Sequence, residues 1–238
     1  MDLLHINITR RKIRSGLLLA GLLALIASAF ILPTAPGSSA ERIMAVVYLV
    51  VFSVASYLIG ARRNWLITYG ILAAGVWAIG LTDAFMQHNP EALAITRDSL
   101  LILLQVMLVA LVFRFSMFDP NANGADRIVA GISGYLIIAL MWARLYALHE
   151  AVIPGGLVDS TRSVINPAEG DLLYFSFVTQ TTTGYGEILP VSASARLLAS
   201  LQSVTGTLYL AVFIAALLGR NARMPMQSTP PPAANPPG

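Results

Sequence analysis

Apolar and polar positions fall in long blocks along this chain, without the two-residue alternation of a half-buried strand. Six apolar blocks can be read: Ser15–Leu32, Ile43–Gly60, Trp65–Leu81, Leu100–Phe118, Ile128–Leu148 and Leu197–Leu218. At 1.5 Å per residue, about 18 helical residues cover roughly 27 Å, close to the thickness of a hydrocarbon core. With no water there to satisfy the backbone, each block is expected to be a helix. Block four reads least clearly, because Arg114 interrupts its end and its strongly apolar part is short.

The basic residues sit mostly between blocks. Arg10, Arg11, Lys12 and Arg14 precede the first, Arg62 and Arg63 separate the second and third, Arg114 and Arg127 follow the fourth, and Arg220 and Arg223 follow the sixth. Six crossings place all of these on one side, leaving only Arg42, Arg97, Arg162 and Arg196 on the other, with Arg144 inside block five. The positive-inside rule then puts both termini in the cytoplasm. An alternative start reads the first block and Gly37-Ser38-Ser39-Ala40 as a signal peptide cleaved after Ala40, which leaves the downstream orientation unchanged. The expected fold class is an all-α integral membrane protein of six transmembrane helices, in a cell (inner or plasma) membrane.

Composition agrees. Hydrophobic residues make up 56% of the 238 and charged residues only 11%, too little polar surface to cover a water-soluble globule. The absence of cysteine and the three scattered histidines exclude disulfide scaffolds and thiolate metal sites. A net charge of +3 without a clustered basic patch gives no footprint for nucleic acid. No intramembrane cluster of His, Asp or Glu offers catalysis, so no catalytic residue or organic cofactor is expected.

Between blocks five and six lies a stretch too polar to span and too apolar for an ordinary loop: Asp171-Leu-Leu-Tyr-Phe-Ser-Phe-Val-Thr-Gln-Thr-Thr-Thr-Gly-Tyr-Gly-Glu187. Its first part, to about Thr181, predicts a short helix that enters and must return. The return, Thr182-Thr183-Gly184-Tyr185-Gly186, cannot continue a helix. Non-helical backbone at membrane depth is tolerated where protein buries it or it lines a watery path. Backbone carbonyls facing one axis can replace the water shell of a cation without a buried charge. Gly184 and Gly186 permit the dihedrals this needs, the Thr182 hydroxyl can add oxygens at the inner end, and four copies are needed to encircle an ion. The helix would also aim its negative end at the ion path.

Thr181-Thr182-Thr183-Gly184-Tyr185-Gly186 resembles the selectivity filter of the potassium-channel pore-loop superfamily, usually Thr-Val-Gly-Tyr-Gly followed by Asp. The order of outer helix, pore helix, filter and inner helix is also similar. The resemblance implies a homotetramer in membrane lipid that passes K+, with K+ held at Thr182, Thr183, Gly184 and Tyr185, and Gly186 completing the filter. It also aligns Pro190 with the proline after the filter and Gly206 with a gating-hinge glycine. Three positions depart from the family pattern. Thr183 stands for valine and adds a hydroxyl behind the filter; Glu187 stands for aspartate at the pore mouth; Val178 stands where some members carry a glutamate that braces the filter. The resemblance covers roughly Arg127 to Arg220.

The implied domains are a basic N-terminus at 1–14, a four-helix peripheral domain at 15–118, a pore domain at 127–220 and a proline-rich disordered tail at 221–238. The peripheral domain carries no voltage-sensor ladder, since Arg97 and Arg114 bracket an uncharged run. Arg144 is expected either to snorkel to the interface or to pair with Glu150 or Asp171. Gly206 serves as hinge or as close-packing site, and Ala130, Gly131 and Gly134 as packing sites. Trp65, Trp142 and Tyr146 are expected as interfacial anchors, Gln105 as an interhelical hydrogen-bonding group, and His149–Gly170 as an extracellular turret. Rival functions are a weakly selective cation channel and a non-conducting scaffold or modulatory subunit with a pore-like fold.

Overall fold

The computed structural model describes residues 19–24, 26–27, 63–85, 91–119, 122–161, 164–165 and 169–221. Block two, the cleavage position, the N-terminal basic cluster and the proline-rich tail lie outside the described residues, as does most of block one. The described elements are helices α1 (Arg63–Phe85), α2 (Glu91–Phe118) and α3 (Gly124–Val152), strands β1 (Leu157–Asp159) and β2 (Val164–Ile165), helix α4 (Glu169–Gln180), strand β3 (Ile188–Pro190) and helix α5 (Ala193–Asn221).

Three of these helices are long and apolar enough to cross a membrane: Ile95–Phe118 with mean hydropathy 2.3, and Gly124–Val152 and Ala193–Gly219 with 1.8 each. Block four, which reads least clearly in the sequence, is thus the most hydrophobic of the three. Block three forms α1, whose described apolar run is Ile67–Ile79.

The helices outrun the apolar blocks because polar contacts carry their ends. α2 gains polar first turns, where Arg97 meets Asp98 at 3.3 Å and Asp98 also meets Arg144 of α3 at 3.9 Å. Asp98 is thus a carboxylate partner of Arg144 that the sequence reading did not name. Glu150 instead accepts the Gly155 and Leu157 backbone N–H groups at 2.9 and 2.8 Å. α3 starts on Asn123, whose side chain accepts from Asp126 N at 2.8 Å, a standard N-cap. α5 starts where the Ser192 hydroxyl accepts from Ala195 N at 3.1 Å.

Arg127, only 4% exposed, has a second role beside its topological one. Its guanidinium donates to the carbonyls of Ser116, Asp119 and Ala122, and its own carbonyl accepts from the Ser116 hydroxyl. It thereby supplies donors to orphan carbonyls at the end of α2 and closes the α2–α3 turn.

Two apolar clusters flank α3. Toward α1 and α2, Leu104, Leu108 and Val112 pack with Ile137, Leu140 and Tyr69. Toward α4, α5 and the sheet, Ile138, Trp142 and Tyr146 pack with Leu172, Phe175, Leu157 and Ala195. Trp142 and Tyr146 are thus core residues at 7% and 0% exposure, not interfacial anchors; Trp65, at 39%, keeps an exposed ring. Near the other end, Tyr209 and Phe213 of α5 press onto α3, where a Cβ added at Gly131 would stand 2.0 Å from Phe213 Cζ.

The segment after α3 is ordered as a small antiparallel sheet, β2-β1-β3. β1 pairs Leu157, Val158 and Asp159 with Pro190, Leu189 and Ile188. The turret region therefore grips the strand that leaves the candidate filter.

Candidate ion-conduction site

The site is built from the end of α4 outward. Helix α4 ends in a Schellman arrangement: Thr183 N donates to Val178 O at 2.9 Å and Thr182 N to Thr179 O at 3.1 Å. That motif requires a left-handed residue at the position of Thr182, and Thr182 has φ +57°. Among the described residues it is the one non-glycine with positive φ. A β-branched side chain there is a genuine outlier, at a cost of about 1–3 kcal/mol.

The left-handed hand then recurs at every second residue, with Gly184 at φ +62° and Gly186 at +89°, while Thr183 and Tyr185 stay on the ordinary side. Alternating handedness is the pattern by which successive N–H groups gather on one flank of a chain, leaving the other flank to carbonyls. Residues 181–186 are exposed in the single chain.

Every orphan carbonyl at the end of α4 already has a donor. Phe177 O takes the Thr181 N–H at 2.9 Å and its hydroxyl at 2.7 Å. Val178 O and Thr179 O take the Schellman donors, and Thr179 O also takes the Ser203 hydroxyl at 3.3 Å. Gln180 O takes the Tyr135 hydroxyl at 3.2 Å. Further oxygens directed at an ion would come from Thr182 onward.

Behind this segment lies a buried polar junction. Gln202 of α5, fully buried, donates from Nε2 to Ser176 O at 2.9 Å and Ser176 Oγ at 2.7 Å, and accepts from the Tyr146 hydroxyl at 2.7 Å. Ser176 Oγ donates onward to Ala139 O at 2.7 Å, and Gln180 Nε2 to Tyr135 O at 2.7 Å. One glutamine thus ties α3, α4 and α5 together. At Gly206, a Cβ would stand 2.6 Å from Gln180 O, so close packing of α5 on the end of α4 requires glycine there.

At the outer end the Tyr174 hydroxyl donates to the Glu187 carboxylate. That hydrogen bond, together with desolvation and the adjacent negative charge, pushes the Tyr174 phenol up to about 12. The Glu187 carbonyl accepts from Ser160 N at 2.8 Å and Ser160 Oγ at 2.9 Å. Val178 contributes no polar brace; Tyr174, one turn earlier, holds Glu187 instead.

The structure therefore brings Thr182, Thr183, Gly184, Tyr185, Gly186 and Glu187 into one segment leaving α4, with Gly206 against its base. Sequence reasoning missed Tyr174, Gln180 and Gln202. The available signal was polar amides at helical positions facing apolar neighbours, where burial without a hydrogen bond is costly.

Residues 135–221 match the family model described as an ion channel. No curated protein and no solved structure matches the chain. The matched span runs from mid-α3 through α5 and contains the whole site, so this part of the chain is similar to an ion channel.

Proposed function

We propose that this chain is one subunit of a homotetrameric, potassium-selective channel, with α3, α4, residues 182–187 and α5 forming a quarter of the pore. The single observation that carries the reading is the alternating left-handed backbone at Thr182, Gly184 and Gly186, mounted on the capped end of a short helix. Carbonyls directed to one flank can replace the hydration shell of a cation. Threonine at φ +57° is strain that the surroundings must impose, and such strain clusters at functional sites.

One chain cannot surround an ion. It leaves residues 181–186 open, and α5 exposes Leu197, Leu201, Val204 and Leu208 at 48–60%. Irregular backbone at membrane depth must be covered by protein or line water, and further copies of the same chain supply that cover. Potassium then moves down its electrochemical gradient between carbonyl rings, with Glu187 concentrating cations at the outer mouth. No covalent chemistry takes place.

Potassium flux from liposomes holding the purified protein, with sodium as competitor, tests this. Flux of potassium over sodium is expected, and Gly184→Ala should abolish it, because a side chain at φ +62° is strained whatever the space around it. Equal passage of both ions would favour a weakly selective pore. No flux from a folded oligomer would favour the scaffold reading.

A further inference from the structure

Two threonine hydroxyls form a chain behind the filter segment that ends on α4. Thr181 Oγ1 lies 2.7 Å from Phe177 O, 3.4 Å from Val178 O and 2.8 Å from Thr183 Oγ1. Carbonyls only accept, so the Thr181 hydroxyl directs its one proton to the helix end. Its oxygen is then the acceptor for Thr183, and the protons run Thr183 to Thr181 to Phe177. Thr183 is pinned twice: by this hydroxyl, and by its N–H on Val178 O at 2.9 Å.

We propose that Thr183, acting through Thr181, is a positioning residue that keeps the Thr183 carbonyl aimed at the permeating ion. The inference rests on the reading of residues 182–186 as a cation filter. Carbonyl oxygens that face one another repel when no cation stands between them, and rotation of a peptide plane relieves the repulsion. The peptide joining Thr183 to Gly184 is the soft one, because glycine accepts either hand. The N–H bond fixes the plane before the Thr183 Cα and the hydroxyl bond fixes its side chain. Together they restrict the plane that follows. Valine has the shape of threonine but cannot make the second bond, and Val178 offers no polar group to replace it.

The test uses the full chain as its purified oligomer, heated in sodium buffer with added potassium, and reads the potassium concentration that gives half-maximal protection. Thr183→Val and Thr181→Val should each raise that concentration about three- to tenfold, the worth of one hydrogen bond. Thr183→Ser, which keeps the hydroxyl, should stay near wild type. The double variant should be no worse than the weaker single, because the two residues share one bond.

Thr183→Val and Thr183→Ser behaving alike, both unshifted or both shifted, would overturn the proposal while leaving the filter reading intact. If Thr183→Val does not fold, Thr181→Val alone decides, and an unshifted value overturns the relay. Wild-type protein protected equally by potassium and sodium would remove the filter reading and the relay with it.

Discussion

The two sides of α3 meet their neighbours by different chemistry. Toward α1 and α2 the middle of the contact is a seam of aliphatic side chains, Ile137 and Leu140 against Leu104, Leu108 and Val112, with the polar ties of Arg144 to Asp98 and Arg127 to Ser116 toward its ends. Toward α4 and α5 apolar packing is threaded by directional bonds: Tyr146 to Gln202, Gln202 to Ser176, Ser176 to Ala139 O, and Gln180 with Tyr135. In a bilayer, lipid tails are as apolar as leucine, so an aliphatic seam gains from packing alone. A buried hydrogen-bond network has to have every member in place, and a half-satisfied one is worse than none. The seam accordingly fixes proximity, and the junction fixes register.

The sharpest way to break the junction is Gly206→Val. Its Cβ would sit 2.6 Å from the backbone oxygen of Gln180, an atom that cannot swing aside. Overpacking of this kind costs about 1–3 kcal/mol or more, and relief requires α5 to lift off the base of the filter. Potassium flux in liposomes should fall to the background of empty vesicles. Wild-type flux would mean that the contact between α5 and α4 has no part in holding the filter.

Next in size is Gln202→Leu, which fills similar space but strands the Tyr146 hydroxyl and leaves Ser176 only its bond to Ala139 O, at about 1–3 kcal/mol for a polar group left buried without a partner, beside the lost bonds to Ser176. Flux and thermal stability in detergent should both drop clearly. Tyr146→Phe strands only Gln202 Oε1 and leaves the Gln202 donors on Ser176, so its loss should lie toward the lower end of about 1–3 kcal/mol and its flux should be intermediate. Equal effects from the two variants would show that Gln202 acts only through Tyr146, reducing the junction to one pair.

The same contrast explains what was legible beforehand. Hydropathy blocks predicted the three long helices because lipid selects the apolar composition of a span, and they undershot the ends because Asn123, Asp98 and Ser192 act there by hydrogen bonds and charge. The short helix and the turn after it could be read from Gly184 and Gly186. Left-handed Thr182 could not, because its cause is a helix cap whose residue is normally glycine. Arg144 pairing with Asp98, across an interval of chain containing two helix ends, is a tertiary fact with no local signature. Trp142 and Tyr146 look like interfacial anchors by position along α3; only the packing of α4 shows that they are buried. β1 was hidden for a similar reason, since a three-residue strand is defined by its partner β3 rather than by any pattern of its own.

The smallest effect on flux belongs to the seam, and it is the variant that separates the two regions most cleanly. Leu108 is 1% exposed and sits in the aliphatic cluster between α2 and α3. Leu108→Ala should cost about 2–5 kcal/mol through lost contacts and an unfilled cavity, lowering the melting temperature at least as far as Tyr146→Phe does. Yet no hydrogen bond to α4 or α5 passes through it, and residues 182–187 keep their cap, their Gln202 tie and their Tyr174 brace. Potassium flux from the folded fraction should therefore stay within about twofold of wild type, since the α4 members of its cluster, Leu173 and Phe177, are joined to it by apolar packing and not by directional bonds. Stability and conduction falling together in Leu108→Ala would mean that α2 sets the position of α3 relative to the filter, and that the seam fixes register as well as proximity.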